Sequence, residues 1–219
     1  MREDKRIRVL IVDDHVMVAQ SLAEALRSEP DIEVTGLAST AAEAVRLAVE
    51  QNPDVVLMDY RLPDGDGAHT AGAIRERVPS AQVVMVTASA DEPVLVEAID
   101  AGCSGFITKD RALDEVTSAV RAAAAGEALI SPAMLAHLLP RLRGETRSRP
   151  ASTLTQREMQ VLELTALGMS NQEIAAQLVL ALNTVRNHVQ SLLGKLGAHS
   201  KLEAVATAAR QGWIKFPES

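Results

Sequence analysis

Val55–Gly67 reads VVLMDYRLPDGDG. Four apolar residues run up to Asp59, and Pro, Asp and Gly crowd the positions after it. A short apolar run that starts β-branched and is closed by turn formers reads as a strand. It shows no polar alternation, so both of its faces are buried, as in a parallel sheet. Runs of the same kind recur at Arg8–Val12, Glu33–Leu37, Gln82–Val86 and Gly105–Thr108. Between them lie stretches rich in Ala, Leu and Glu with helical patterning: Val16–Arg27, Ala41–Gln51, Ala68–Arg77, Pro93–Ala101 and Leu113–Ala125. Five strand–helix repeats at this spacing predict an α/β fold, a doubly wound parallel five-stranded sheet.

The pattern stops near Glu127. Ser131–Pro132 has the form of an N-cap and first helical residue, opening a short helix to about Leu142. Arg143–Thr153, RGETRSRPAST, is polar and lacks periodicity, as a linker does. The remainder reads as all-helical. Three Ser/Thr-x-x-Glu boxes mark helix starts at Thr155–Glu158, Ser170–Glu173 and Ser200–Glu203. Gly168 and Gly212 stand where two of those helices end. The expected organisation is a first domain over residues 1–127, a linker with a short helix over 128–152, and a smaller all-α domain over 153–219.

The 219 residues carry a formal net charge of −7. Residues 1–130 hold 12 basic and 23 acidic side chains, a net of −11, whereas residues 131–219 hold 10 and 6, a net of +4. An acidic α/β domain is therefore joined to a basic helical one. Aromatic residues make up 2 % of the chain, which argues against stacking platforms for single-stranded nucleic acid. The one cysteine, Cys103, excludes an intrachain disulfide and a multi-cysteine zinc site, and its loop setting favours packing over redox chemistry. Uncharged stretches reach 13 residues, short of the ~18 a membrane span needs. The N-terminus lacks a secretory pattern, so a cytoplasmic protein with no membrane association is expected.

Asp13 and Asp14 follow the first strand and Asp59 ends the third. In an open α/β sheet the carboxyl ends of the strands line the site crevice. Three carboxylates gathered there repel one another unless a cation sits among them. A hard, oxygen-preferring ion suits that place, and Mg²⁺ is the natural one. Thr87 ends the fourth strand and Lys109 the fifth, adding a hydroxyl and an ammonium to the same rim. A single Asp after a strand is ordinarily a cap or a turn. Five such groups at the ends of four strands suit phosphoryl transfer onto an aspartate. His15 opens a helix beside the acidic site, yet Mg²⁺ favours oxygen, and His69 is expected to be solvated.

VLIVDDH, VVLMDYRLPDGDG, VVMVTAS and GFITKD resemble the receiver domain of two-component response regulators over about residues 7–125. The resemblance implies a flavodoxin-like receiver whose Asp59 accepts phosphate from a cognate histidine kinase. It implies that Asp13 and Asp14 hold Mg²⁺ with Asp59 and the backbone carbonyl of Arg61. Thr87 and Lys109 would bind the phosphoryl oxygens, and Phe106 would be the switch aromatic that turns inward as Thr87 moves. Pro63 and Gly67 fit the loop after the acceptor. Ala88 is small, as access by the phosphodonor requires. Asp110 follows Lys109 where many receivers have Pro, and Arg61 and Ser89 occupy positions that tune dephosphorylation.

In the second domain, Asn171–Leu178 and Thr184–Leu196 have helix-turn-helix spacing, in which the second helix enters the major groove. Val185, Val189, Leu192 and Leu196 share one face of that helix. Asn187, Gln190, Ser191 and Gly194 lie opposite, flanked by Thr184 and Arg186, and such groups can read base edges. Arg186 opposes the helix dipole from the first turn, a cost of ~0.3–1 kcal/mol that an anionic partner would explain.

Residues 154–205 resemble the LuxR-type helix-turn-helix, and the chain as a whole resembles a NarL/FixJ-class response regulator. That resemblance implies contacts to double-stranded DNA by Thr184, Arg186, Asn187, Gln190 and Lys195. It also implies a homodimer paired through the last helix, Leu202–Arg210, whose Leu202, Val205, Ala206 and Ala209 share a face. Ala181 and Leu182 depart from the usual Ser and charged residue. Ala caps poorly, so Asn183 is the alternative cap and would start the reading helix later.

The function expected is that of a phosphorylation-controlled transcriptional regulator, not an enzyme. Two alternatives stand beside it. The acidic cluster alone also fits a Mg²⁺-dependent aspartyl-phosphate phosphatase, although Asp13–Asp14–His15 replaces the D-x-D of such enzymes. A constitutive DNA binder with a vestigial receiver is the other.

Overall fold

The computed structural model describes residues 6–87, 92–109, 113–128, 130 and 154–214. Ala88, Ser89, Asp110, the expected helix after Ser131 and the linker Arg143–Thr153 lie outside the described residues. The chain divides into two compact units, residues 1–129 and 130–219.

In the first unit the elements alternate as β1 (Ile7–Val12), α1 (Val16–Arg27), β2 (Ile32–Ala38), α2 (Ala41–Gln51), β3 (Val55–Asp59), α3 (Gly67–Arg77), β4 (Gln82–Thr87), α4 (Glu92–Asp100), β5 (Gly105–Thr108) and α5 (Leu113–Ala124). A small antiparallel ladder pairs Arg61–Leu62 with Gly65–Asp66 between β3 and α3. The five main strands are parallel in the order β2-β1-β3-β4-β5. The direction in which successive strands are added to the sheet reverses between β1 and β3, which opens a crevice at their carboxyl ends.

Alternate residues of each strand explain the two layers. Leu10, Val12, Val56, Met58, Val83 and Met85 point to one face and pack with Ala44, Ala48, Ala71, Ile74 and Ala98 of α2, α3 and α4. Val9, Ile11, Val55, Leu57, Val84 and Val86 point to the other and pack with Leu22, Leu26, Val116 and Val120 of α1 and α5. Both faces are covered, so the strands carry no polar alternation. Cys103 is fully buried in the first of these clusters.

The second unit comprises α6 (Gln156–Ala166), α7 (Asn171–Leu178), α8 (Leu182–Leu196) and α9 (Lys201–Arg210). Its core includes Val161, Leu162, Ile174, Val185, Val189, Leu192, Leu202 and Val205. The capping boxes at Thr155–Glu158 and Ser170–Glu173 form on both sides. At Ser200–Glu203 only half forms: Ser200 accepts from the Glu203 N–H, while the Glu203 carboxylate takes the His199 N–H at 2.6 Å instead. Gly168 and Gly212 adopt left-handed φ of +81° and +70° just past α6 and α9.

α8 starts at Leu182, not later. Ala181 is its N-cap, with extended backbone and no side-chain hydrogen bond, and Asn183 lies inside the first turn. The Ala181 carbonyl already accepts from Thr184 and Val185, and backbone bonding decides the start without a capping side chain. Leu182 is half-buried.

Candidate functional site

The strand ends bring the predicted acidic group together. Asp13 follows β1 and its N–H donates to the Ala38 carbonyl of β2 at 3.0 Å, which holds the turn against the sheet. Asp59 is the last residue of β3 and Thr87 the last of β4. All three are buried, whereas Asp14 is exposed. Lys109 is fixed by its own N–H, which donates to the Thr87 carbonyl at 2.8 Å. Its Nζ lies 2.7 Å from Asp13 Oδ2 and 2.7 Å from Asp59 Oδ2. Burial pulls the Lys109 ammonium down, but hydrogen bonds and charge from Asp13 and Asp59 outweigh that and hold it above the usual lysine range.

Ligand atoms of Asp13, Asp14, His15 and Asp59 lie within 4.8 Å of one another. Three of the four donors are carboxylates, a set that fits a hard divalent cation. His15 comes closer than its sequence context indicated: Nδ1 is 2.7 Å from Asp14 Oδ1 and 3.3 Å from Asp13 Oδ1. The Arg61 N–H approaches Asp59 Oδ1 at 3.4 Å, and its side chain is exposed. Phe106 is half-buried against the core and pairs in register with Met85. His69 is exposed, and its N–H is capped by Asp66 at 2.6 Å.

The loop after Asp59 is anchored at both ends. Asp64 accepts from the N–H groups of Ala41 and Ala42 at 2.7 and 3.1 Å, which ties the loop to the start of α2 and holds its carboxyl below the usual range. At Gly67 a side-chain Cβ would collide with the Asp59 carbonyl oxygen and crowd Met85. Only glycine allows α3 to start this close to the acidic site. Tyr60, next to Asp59, donates its hydroxyl to Glu97 of α4 at 2.6 Å. That bond, with burial and the Glu97 charge, pushes the phenol up to about 12. Tyr60 and Glu97 are 37 residues apart, and no local pattern signals the pair.

In the second unit α7 and α8 form the helix-turn-helix. Val179 closes α7 in a left-handed conformation, φ 54°, and is 90 % exposed. Arg186, Asn187 and Gln190 are exposed on α8, Thr184 is half-buried, and Val185, Val189 and Leu192 face the core. Two residues of the exposed polar face, Ser191 and Lys195, are bonded to Glu158. Ser191 Oγ donates to Glu158 Oε1 at 2.6 Å, and Lys195 Nζ lies 2.6 Å from Glu158 Oε2. Burial pushes the Glu158 carboxyl up, but hydrogen bonds from Lys195, Ser191 and Thr155 prevail and bring it down to about 2. Leu202, Val205, Ala206 and Ala209, the face expected to meet a second copy, are buried within the single chain.

Comparison with known proteins agrees with both halves. A family model described as the response regulator receiver domain matches residues 9–121. A second, bacterial regulatory proteins of the luxR family, matches residues 152–208. The chain is 37 % identical over 206 residues to the transcriptional regulatory protein LiaR of Bacillus subtilis, covering 93 % of this chain and 97 % of that one. It is 35 % identical over 209 residues to the response regulator protein VraR of Staphylococcus aureus, covering 95 % and 99 %. Among solved structures, a two-component response regulator of the LuxR family from Aurantimonas sp. SI85-9A1 matches with a TM-score of 0.57 and 30 % identity, over 63 % of this chain and 98 % of that one. Among the described residues no helix is long and apolar enough to cross a membrane.

Proposed function

The chain belongs to the LuxR-type response regulators, transcriptional regulators that join a receiver to a helix-turn-helix DNA-binding domain, and on that premise we propose that Asp59 is its phosphoacceptor. The observation that carries this is Lys109 Nζ at 2.7 Å from both Asp13 and Asp59, an ammonium where oxyanion charge would develop. A carboxylate oxygen of Asp59 forms the new O–P bond as the P–N bond of a phosphohistidine on the cognate kinase breaks. Lys109 then neutralises a phosphoryl oxygen, and the Thr87 hydroxyl binds another. Asp13, Asp14 and the Arg61 carbonyl would hold Mg²⁺ beside Asp59, which supplies further neutralisation of the phosphoryl group. Phe106 turns inward as Thr87 moves towards the phosphate. Phosphate binds the active arrangement better than the resting one and shifts the population.

The receiver is assigned to residues 1–127, the linker to 128–152 and the DNA-binding domain to 153–219. The family matches and the division at residues 129 and 130 support these bounds. Thr184, Arg186, Asn187 and Gln190 are assigned to double-stranded DNA. A homodimer on DNA fits the small net charge of this domain, since two copies double the phosphate contacts. Pairing through α9 would use side chains of that helix other than Leu202 and Val205, which lie in the core of the unit. Cytoplasmic location accords with a DNA-binding regulator.

Acetyl phosphate with Mg²⁺ tests the acceptor. Intact-mass spectrometry is expected to find one phosphoryl adduct on the wild-type chain and none on Asp59→Asn. An adduct of equal yield on the variant would move the site elsewhere.

A further inference from the structure

Glu158 is a buried charge that groove reading leaves unexplained. It occupies the third position of α6 and is 3 % exposed. Its Oε2 accepts the Thr155 N–H at 2.7 Å, which completes the capping box. Glu173 performs the same capping for α7 on the surface of the molecule. Capping therefore needs neither burial nor a second set of partners. What Glu158 has in addition is α8: Ser191 Oγ at 2.6 Å, and Lys195 Nζ at 2.9 Å from Oε1 and 2.6 Å from Oε2. Ser191 and Lys195 are four residues apart and lie on one stripe of that helix. Asn187 is the next residue along the same stripe, four before Ser191, and it is exposed. A helix turns about 100° per residue, so clamping two points of a stripe sets the direction of every side chain on it.

We propose that Glu158 is a positioning residue for DNA reading. Through Ser191 and Lys195 it sets the rotation of α8 and so aims Arg186, Asn187 and Gln190. Lys195 is thereby spent on Glu158 rather than on a DNA phosphate. This rests on the reading of α8 as the recognition helix. The geometry is costly to break, because removing one partner leaves a buried charge unpaired.

The test uses the full chain and two duplexes. One is selected from a random pool by the wild-type protein, and the other is a scramble of equal length and composition. Glu158→Gln keeps one oxygen for the Thr155 N–H and sets an amide NH2 against Ser191, whose hydroxyl can turn to accept it, but removes the charge facing Lys195, and Lys195→Met removes the other partner. Each is expected to lower the selected-to-scrambled affinity ratio about tenfold. Affinity for the scramble, and its slope against log salt, are expected to stay at the wild-type value, and the double variant to be no worse than either single one. Simple loss of folded protein would weaken both duplexes together and leave the ratio unmoved. A ratio unchanged in Glu158→Gln, or a salt slope lowered by about one in Lys195→Met, would overturn the proposal. If the wild-type chain selects no duplex, the recognition-helix reading fails on its own. Amide exchange across residues 182–196 then decides the clamp: faster exchange in Glu158→Gln supports it and unchanged exchange overturns it.

Discussion

Lys109 Nζ lies 2.7 Å from Asp59 Oδ2, so the residue assigned to accept phosphate is already paired with a cation. The same Nζ reaches Asp13 Oδ2, and one ammonium serves two buried carboxylates. Lys109→Met takes that ammonium from both and is expected to destabilise the chain by about 3 kcal/mol in chelator. Added Mg²⁺ is then expected to raise the melting temperature of the variant more than that of the wild type, because the ion binds the folded site alone. Calorimetry with and without Mg²⁺ reads this directly. Equal shifts in the two proteins would contradict the shared site.

Tyr60 is the chain's one tyrosine, and its absorbance reports a single group. Its phenol is expected to titrate at about 12 while Glu97 accepts its hydrogen bond. The folded value exceeds the ordinary 10.0, so the stabilisation is fully present below pH 10 and disappears as pH rises through about 12. Ultraviolet titration of the wild type and of Glu97→Gln checks this. The variant's midpoint is expected to fall towards 10, and coincident curves would count against the bond.

Gly67→Ala puts a Cβ into the Asp59 carbonyl. The receiver is expected to lose about 2 kcal/mol, because the Asp59 and Tyr60 backbone cannot withdraw without disturbing the end of β3. Urea unfolding followed by circular dichroism measures the loss. An unchanged midpoint would mean that α3 can start elsewhere.

Ala181→Ser supplies the side-chain acceptor that α8 lacks and is expected to add about 1 kcal/mol. Val179→Gly, at φ 54°, is expected to relieve left-handed strain of about 1 kcal/mol. The single tryptophan, Trp213, lies in the same unit and reports its unfolding in urea. Lower midpoints in both variants would contradict the backbone described at this turn.

The receiver was legible because each of its features is local. An apolar run ends on Asp59, and the crevice follows from strand order. Apolar stripes and capping boxes marked the helices of the second unit in the same way. What escaped the sequence depends on pairs distant along the chain. Lys195 reads as a basic residue on a DNA-binding helix until Glu158, 37 residues earlier, is seen beside it. Ser191 belongs to the exposed polar face by periodicity, and only the fold shows its hydroxyl bonded to Glu158. Asn183 is the better capping residue, yet Ala181 takes the cap because backbone bonds to its carbonyl fix the first turn. His15 adjoins Asp14 in sequence, but only the fold places its ring with Asp59, 44 residues on, in one group of ligand atoms within 4.8 Å.

The central claim, that phosphate on Asp59 controls DNA binding, is tested by the affinity of the full chain for its selected duplex before and after acetyl phosphate with Mg²⁺. Binding of the wild type is expected to tighten about tenfold or more, and that of Asp59→Asn to stay at the untreated value. Equal affinity before and after treatment in the wild type, or equal tightening in the variant, would contradict it.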